Sequence, residues 1–267
     1  MKRIGIVGCG SIGSEIAFAI DKKIINADIV ALYDIDGDKA KKLLSKVRNQ
    51  KPLIAKNLEE LVKISDLVVE TASPEAVKGI AKIALLYGRN IFVLSVSGLI
   101  NNPWILDSFK KRKYRVYYPS GAIAGIDGIK AARMGKIKSV TLTTSKPCST
   151  LKNVQYVKKS GKLKSGCKLP KIVFEGNAGK AIKCFPQNIN VAATIALSGV
   201  GSEKTKVKII AVPDGKNQRN IHEIKINGDF GEMYIRNEDV PSKNNPKTSY
   251  LAILSSIALL HEICNAK

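Results

Sequence analysis

Residues 3–13, RIGIVGCGSIG, set an apolar strand directly against Gly8-x-Gly10-x-x-Gly13, with a helix expected over about Ser11–Lys22. The spacing alone is common; a strand before it and a helix after it make it informative. Gly8 allows the tight turn, Gly10 lets the backbone approach a pyrophosphate, and Gly13 lets the helix pack close to the strand. The amides near Ser11 and Ile12 would point at phosphates, aided by the helix N-terminal dipole. The second strand ends in ALYDID, and Asp34 stands 21 residues after Gly13. That is close to the spacing of the acid that accepts ribose hydroxyls in NAD sites. Asp34 repels a 2′-phosphate, but Lys39, Lys41 and Lys42 soften that repulsion, so NAD and NADP both stay open.

The first 120 residues keep this grammar. Strands are expected at Arg3–Val7, Ile29–Tyr33, Leu53–Ala55, Leu67–Thr71, Ile91–Val96 and Arg115–Tyr118. Helices are expected at Gly37–Val47, Leu58–Ile64, Pro74–Tyr87 and Pro103–Lys113. Apolar strands alternating with crossover helices imply a parallel Rossmann sheet covered on both faces. After Ser120 a helix begins within GAIAGIDGIKAARMG (121–135), and period-2 segments follow: Ser139–Thr144, Lys171–Glu175, Lys206–Val212, His222–Ile226 and Glu232–Asn237. NGDFG between the last two signals a hairpin. Helical stretches are expected at Ala178–Cys184 and Asn190–Leu197. This reads as an α+β domain with a mainly antiparallel sheet. Thr248–Cys264 reads as an apolar helix returning to the first domain. The domains expected are 1–120, 121–244 and 245–267, the last being that helix.

Net charge bears on partners. At +22 the chain could attract nucleic acid or anionic small molecules. Its densest basic run, KKSGKLKSGCKLPK (158–171), has no aromatic residue to stack bases, so it reads as a solvated surface loop. The five cysteines form no Cys-x-x-Cys pair, which gives neither metal-ligand spacing nor a disulfide framework. No apolar run reaches membrane length, and Met1-Lys2-Arg3 is followed at once by glycines rather than by a signal peptide. A soluble, cytoplasmic protein without membrane contact or a metal centre is expected.

Ligands bind outside the carboxyl ends of parallel strands. Ala72, Ser73, Ser95 and Ser97 are therefore candidates for cofactor contact, although Ser73 before Pro74 would equally cap a helix. Asn188 and Asn190 flank a break between helices and could grip a carboxamide or carboxylate; local capping explains Asn190 as well. Lys247 and Thr248 could anchor a dicarboxylate or merely open the last helix. His222 shares a strand face with Ile224 and Ile226. A lone histidine there is more often a core residue, but its ordinary pKa of ~6.5 suits proton transfer. The only other histidine, His261, looks structural.

Taken together, GIVGCGSIG, YPSGAIAGIDGIKAA (118–132), FPQNINVAAT (185–194), RNIHEI (219–224) and NNPKTSYLA (244–252) resemble the L-aspartate dehydrogenase family across nearly the whole chain. The resemblance implies NAD- or NADP-dependent, reversible oxidation of L-aspartate to iminoaspartate. That product hydrolyses to oxaloacetate and ammonia, or passes to a quinolinate-forming partner enzyme in NAD biosynthesis. The resemblance makes His222 the active-site histidine and gives Ala124 and Asn190 cofactor contacts. Ser120, Gly121 and Ala122, at the corner before the 121–135 helix, are then candidate substrate contacts beside Asn188, Lys247 and Thr248. A homodimer through the second domain's sheet is expected, with the active site between the domains. Two other readings stand beside this one: a related reductase of another small anionic acid, and a non-enzymatic nucleotide sensor that binds nucleic acid.

Overall fold

The computed structural model describes residues 1–163, 167–186, 189–215, 219–242 and 245–265, with backbone only at Pro246 and Lys247. The chain divides into two compact units, Met1–Pro119 with Ile253–Lys267, and Ser120–Ala252.

The first unit runs β1 (Lys2–Val7), α1 (Ser11–Asp21), β2 (Ala27–Tyr33), α2 (Gly37–Leu44), β3 (Leu53–Ile54), α3 (Leu58–Ile64), β4 (Leu67–Glu70), α4 (Pro74–Leu86), β5 (Asn90–Val93), α5 (Ser97–Asn101), α6 (Trp104–Lys111) and β6 (Val116–Tyr117). Its six strands are all parallel in the order β3-β2-β1-β4-β5-β6. The order reverses between β1 and β4, where a doubly wound sheet opens a crevice for ligands. Ile4 and Ile6 of β1, Leu32 of β2, Val69 of β4 and Phe92 of β5 are fully buried, and Ile16 and Ile20 of α1 pack on them. Each such side chain contributes roughly 1.5–3 kcal/mol by leaving water.

The second unit contains α7 (Ile126–Ala132), β7 (Ile137–Pro147), α8 (Cys148–Leu151), α9 (Gln155–Ser160), β8 (Lys171–Asn177), α10 (Ala178–Cys184), α11 (Asn190–Ser198), β9 (Thr205–Val212), β10 (Asn220–Gly228), β11 (Gly231–Asp239), β12 (Pro241–Ser242) and β13 (Asn245–Ser249). Its five-stranded sheet has the order β11-β10-β7-β9-β8. All pairs are antiparallel except β7 with β9. Gly228 pairs with Gly231 across the expected hairpin.

The last helix, α12 (Tyr250–Asn265), buries Ile253, Ser256 and Leu260 and leaves Tyr250 and Leu254 exposed. Leu260 joins the core of the first unit. Lys2 Nζ donates to the Ile263 carbonyl at 2.5 Å, and Asn26 N–H to Asn265 Oδ1 at 3.1 Å.

Four local expectations change. The fifth strand stops at Val93 rather than Val96, because Leu94 N–H turns to the Glu70 carbonyl and Ser95 N–H to the Glu70 carboxylate, and α5 begins at once. The basic stretch is not loop from its start: α9 covers Gln155–Ser160, and Leu163 is buried. Thr248 lies on β13, paired with β12, and not in a helix. His261 is exposed rather than packed.

Candidate functional site

The end of the first sheet is built around the glycine turn. Gly8 has a φ of 97°, a left-handed conformation, and a Cβ there would meet the Thr71 and Ala72 backbone at 2.7–2.8 Å. A Cβ on Gly13 would sit 2.1 Å from the Gly8 carbonyl oxygen, so helix and turn touch backbone to backbone. Gly10 has nothing within 4 Å of its would-be Cβ, leaving open the approach a phosphate needs. Helix α1 starts there without a side-chain cap or an acidic residue in its first turn. Its first amides have no partner within the helix, which suits an anion. The Ser11 hydroxyl is buried without a hydrogen-bond partner among the described residues. Asp34 accepts from Cys9 N–H at 2.7 Å and from Asp36 N–H at 2.9 Å. These bonds fix its carboxylate at the end of β2 and tie the glycine turn to it. The set fits a dinucleotide: open glycine, unsatisfied hydroxyl, uncapped helix and oriented acid.

Sequence reasoning missed Glu70 and Thr71. Glu70 ends β4 fully buried; it accepts from Ala72 N–H at 2.8 Å, Ser95 N–H at 2.9 Å and the Ser95 hydroxyl at 2.8 Å. Burial raises its pKa, opposed by those donors. It braces the loops after β4 and β5, which carry Ala72, Ser73 and Ser95. Thr71 Oγ1 donates to the Gly8 carbonyl at 2.5 Å. Ala72 is exposed and Ser73 half-buried. Ser73 occupies the N-cap of α4 without making a side-chain cap bond. Ser97 is fully buried inside this unit and so presents nothing at the surface. A charged residue closing an apolar strand, as in LVVE, was the available signal for Glu70.

In the second unit, His222 is 3% exposed. It stands opposite Thr144 on β7 and Asn237 on β11. Ile224 and Ile226 on the same face are fully buried, so the strand runs from apolar core to a polar end. There Thr144 Oγ1 lies 3.0 Å from His222 Nδ1, and Asp239 Oδ2 lies 3.6 Å from Nε2. That carboxylate oxygen has no hydrogen-bond partner among the described residues. The arrangement that serves both ring nitrogens has the Thr144 hydroxyl donating to Nδ1 and Nε2–H facing Asp239. Lys146, one alternation beyond Thr144 on β7, is also buried.

These groups set one another's charge. Burial, then Lys146, push His222 down to about 3, so the imidazole is neutral at pH 7 rather than poised near its ordinary value. Burial lowers Lys146 to about 8, with Asp239 pulling it up. Burial raises Asp239 to about 6, with Ser249 and Lys146 drawing it down. Lys146, Asp239 and Thr144 were not foreseen; alternation in TTSKP was the sole signal for Thr144 and Lys146, and Asp239, at the end of β11, had none, because strand register brings all three to His222.

The corner before α7 reaches the same face. Ala124 N–H donates to Asn237 Oδ1 at 3.2 Å, and Asn237 is the cross-strand partner of His222. Gly125 (φ 76°) packs against Ile235. Ser120 and Gly121 are half-buried and Ala122 is buried. Asn190 is the exposed first residue of α11, after Ile189 at the N-cap, so it is not the capping residue. Thr248 Oγ1 accepts from Asn245 Nδ2 at 3.1 Å. Asn188 and the Lys247 side chain lie outside the described residues.

Residues 127–263 match the family model for the C-terminal part of aspartate dehydrogenase. Residues 8–119 match the NAD-binding domain of homoserine dehydrogenase. The L-aspartate dehydrogenase of Methanosarcina mazei is 46% identical over 268 residues, covering 99% of this chain and 98% of the relative. That of Methanocaldococcus jannaschii is 39% identical, covering 98% and 97%. The crystal structure of aspartate dehydrogenase from Thermotoga maritima has a TM-score of 0.73 at 26% identity, covering 100% of this chain and 97% of that one. A myo-inositol dehydrogenase of Lactobacillus casei shares the fold at a TM-score of 0.59 and 13% identity, covering 99% and 86%. With a family model spanning half the chain and relatives this similar over its full length, the chain belongs to the aspartate dehydrogenase family.

Proposed function

We propose that this chain is an NAD(P)-dependent L-aspartate dehydrogenase that converts L-aspartate reversibly to iminoaspartate, which hydrolyses to oxaloacetate and ammonia. The observation that carries the reading is full-length identity to curated L-aspartate dehydrogenases, 46% for the M. mazei enzyme. When bound, the nicotinamide supplies the hydride acceptor. Everything else falls to this chain's residues.

Gly8, Gly10 and Gly13, with the amides of Ser11 and Ile12, hold the pyrophosphate at the start of α1. The Ser11 hydroxyl supplies a donor that has no partner within the protein. Asp34 accepts from the ribose hydroxyls with the oxygen lone pairs that Cys9 and Asp36 leave over. Ala72, Ser73 and Ser95 line the next loops, and Ala124 and Asn190 complete the cofactor contacts. The substrate carboxylates fall to Ser120, Gly121, Ala122, Asn188, Lys247 and Thr248. His222 works as a neutral imidazole: with Nδ1 accepting from the Thr144 hydroxyl, it turns Nε2–H from Asp239, 3.6 Å away, to the substrate, stabilises charge there and assists water attack on the imine. Electrostatic placement of this kind favours charge that develops in the transition state. A homodimer through the outer face of the second sheet is supported by exposed Ile172 and Tyr234 on that face.

The test is nicotinamide reduction with L-aspartate, using NAD and NADP in parallel and D-aspartate, L-glutamate and L-malate as controls. Turnover confined to L-aspartate is expected; turnover of L-malate instead, or of none, overturns the reading. His222→Ala should lower kcat by about 10²–10⁴-fold while leaving nucleotide affinity unchanged.

A further inference from the structure

Oxidising an amino acid removes two things besides the hydride's electron pair: a proton from the α-ammonium and, later, protons from attacking water. Neutral His222 serves the second task and not the first, because a weakly basic imidazole does not deprotonate an ammonium. Among the described residues, the polar end of the second sheet holds one further nitrogen base, Lys146. Lys146 lies on the β7 face that carries Thr144, the hydrogen-bond partner of His222. On β9 it stands opposite Ala211, a small side chain. In the row of Thr144, β9 presents apolar Ile209 and β10 presents His222. Asp239, from β11, pulls the Lys146 charge up, and the Lys146 charge in turn lowers His222, from β10. Lys146 is 8% exposed, Asp239 4% and His222 3%.

We propose that Lys146 is the proton acceptor for the substrate's α-ammonium, a catalytic residue distinct from His222. This rests on the dehydrogenase reading above. The Nζ lone pair takes one proton from the α-ammonium, leaving a free amine on the substrate and an ammonium on Lys146. The amine lone pair then forms the C=N bond as the Cα–H pair departs as hydride, so Cα is oxidised and the cofactor reduced. The proton leaves Lys146 for solvent by way of Asp239, whose carboxylate faces this cluster. Chemistry favours this lysine because burial lowers its pKa to about 8, which leaves a working fraction of free amine near neutral pH. Losing its charge also removes the smaller of the two effects that lower His222, burial being the larger.

The experiment first measures wild-type turnover of L-aspartate; its absence removes the function reading. With turnover in hand, kcat/KM is followed against pH, and Lys146→Ala and Lys146→Arg are compared with wild type. Binding of NADH by fluorescence and of succinate, a dicarboxylate without an amine, is measured alongside. The wild-type profile should rise through about pH 8. Both variants should lose about 10²–10⁴-fold in kcat/KM while binding NADH and succinate within a few-fold of wild type. Methylamine should restore part of the Lys146→Ala rate. Three results overturn the assignment alone: Lys146→Arg keeping more than a tenth of activity, succinate affinity collapsing with no amine rescue, or a wild-type profile flat across this range. The last is read on the native enzyme, so it decides the matter even if both variants fail to fold.

Discussion

Glu70 offers the sharpest test of how the nucleotide end is held together. Glu70→Ala removes the acceptor of three donors, two backbone amides and the Ser95 hydroxyl, at a fully buried position. A buried donor left without a partner costs about 1–3 kcal/mol. The two Ser95 donors are buried, while the amide of exposed Ala72 can turn to water, which puts the loss at about 3–5 kcal/mol. For a chain of this size that is a fall in Tm of roughly 6–20 °C. The same bonds hold the loops bearing Ala72, Ser73 and Ser95, so nucleotide affinity should fall more than the rest of the molecule loosens. Thermal melts of the nucleotide-free protein and fluorescence titration with NADH read the two effects separately. Glu70→Gln keeps the volume and one acceptor oxygen and should lose only about 1–2 kcal/mol. An alanine variant melting within about 2 °C of wild type, with unchanged NADH affinity, would refute the view that this carboxylate braces the loops.

The other expectations concern the same two sites. Asp34→Ser should weaken NAD about tenfold or more and raise the relative use of NADP, by removing both the ribose acceptor and the charge that repels a 2′-phosphate; steady-state KM for the two cofactors checks it. Gly13→Ala forces a Cβ to within 2.1 Å of the Gly8 carbonyl oxygen, so nucleotide binding should be lost in calorimetric titration even where the variant folds. Stability should depend on His222 with a definite sign. Its folded pKa of about 3 lies below the ordinary ~6.5, so the unfolded chain takes up the proton first. Its contribution is complete above about pH 6.5 and is lost as pH falls toward 3. Tm against pH should fall less steeply over that window in His222→Asn than in wild type.

The two sheets were legible to different depths for physical reasons. Strands buried on both faces, such as GIV, LVV and IFV, read as apolar runs whatever their neighbours, and the glycine turn has its meaning within thirteen residues of sequence. Short elements carried no comparable signal: β12 has two residues, and β13 opens with Asn245-Pro246, which reads as the approach to a helix. Alternation also identified the face holding His222, Ile224 and Ile226, but could not say where along that face the apolar core ends. The difference lies across the sheet. Ile224 and Ile226 stand opposite Leu142 and Val140, whereas His222 stands opposite Thr144. That pairing depends on a register joining residues 78 positions apart. Lys146 and Asp239 enter through the same long-range pairing, and burial, then Lys146, keep the imidazole neutral. The histidine and its face can therefore be picked out locally, while its protonation state belongs to the assembled sheet, because it is set first by burial and then by the Lys146 charge that the fold brings in from another strand.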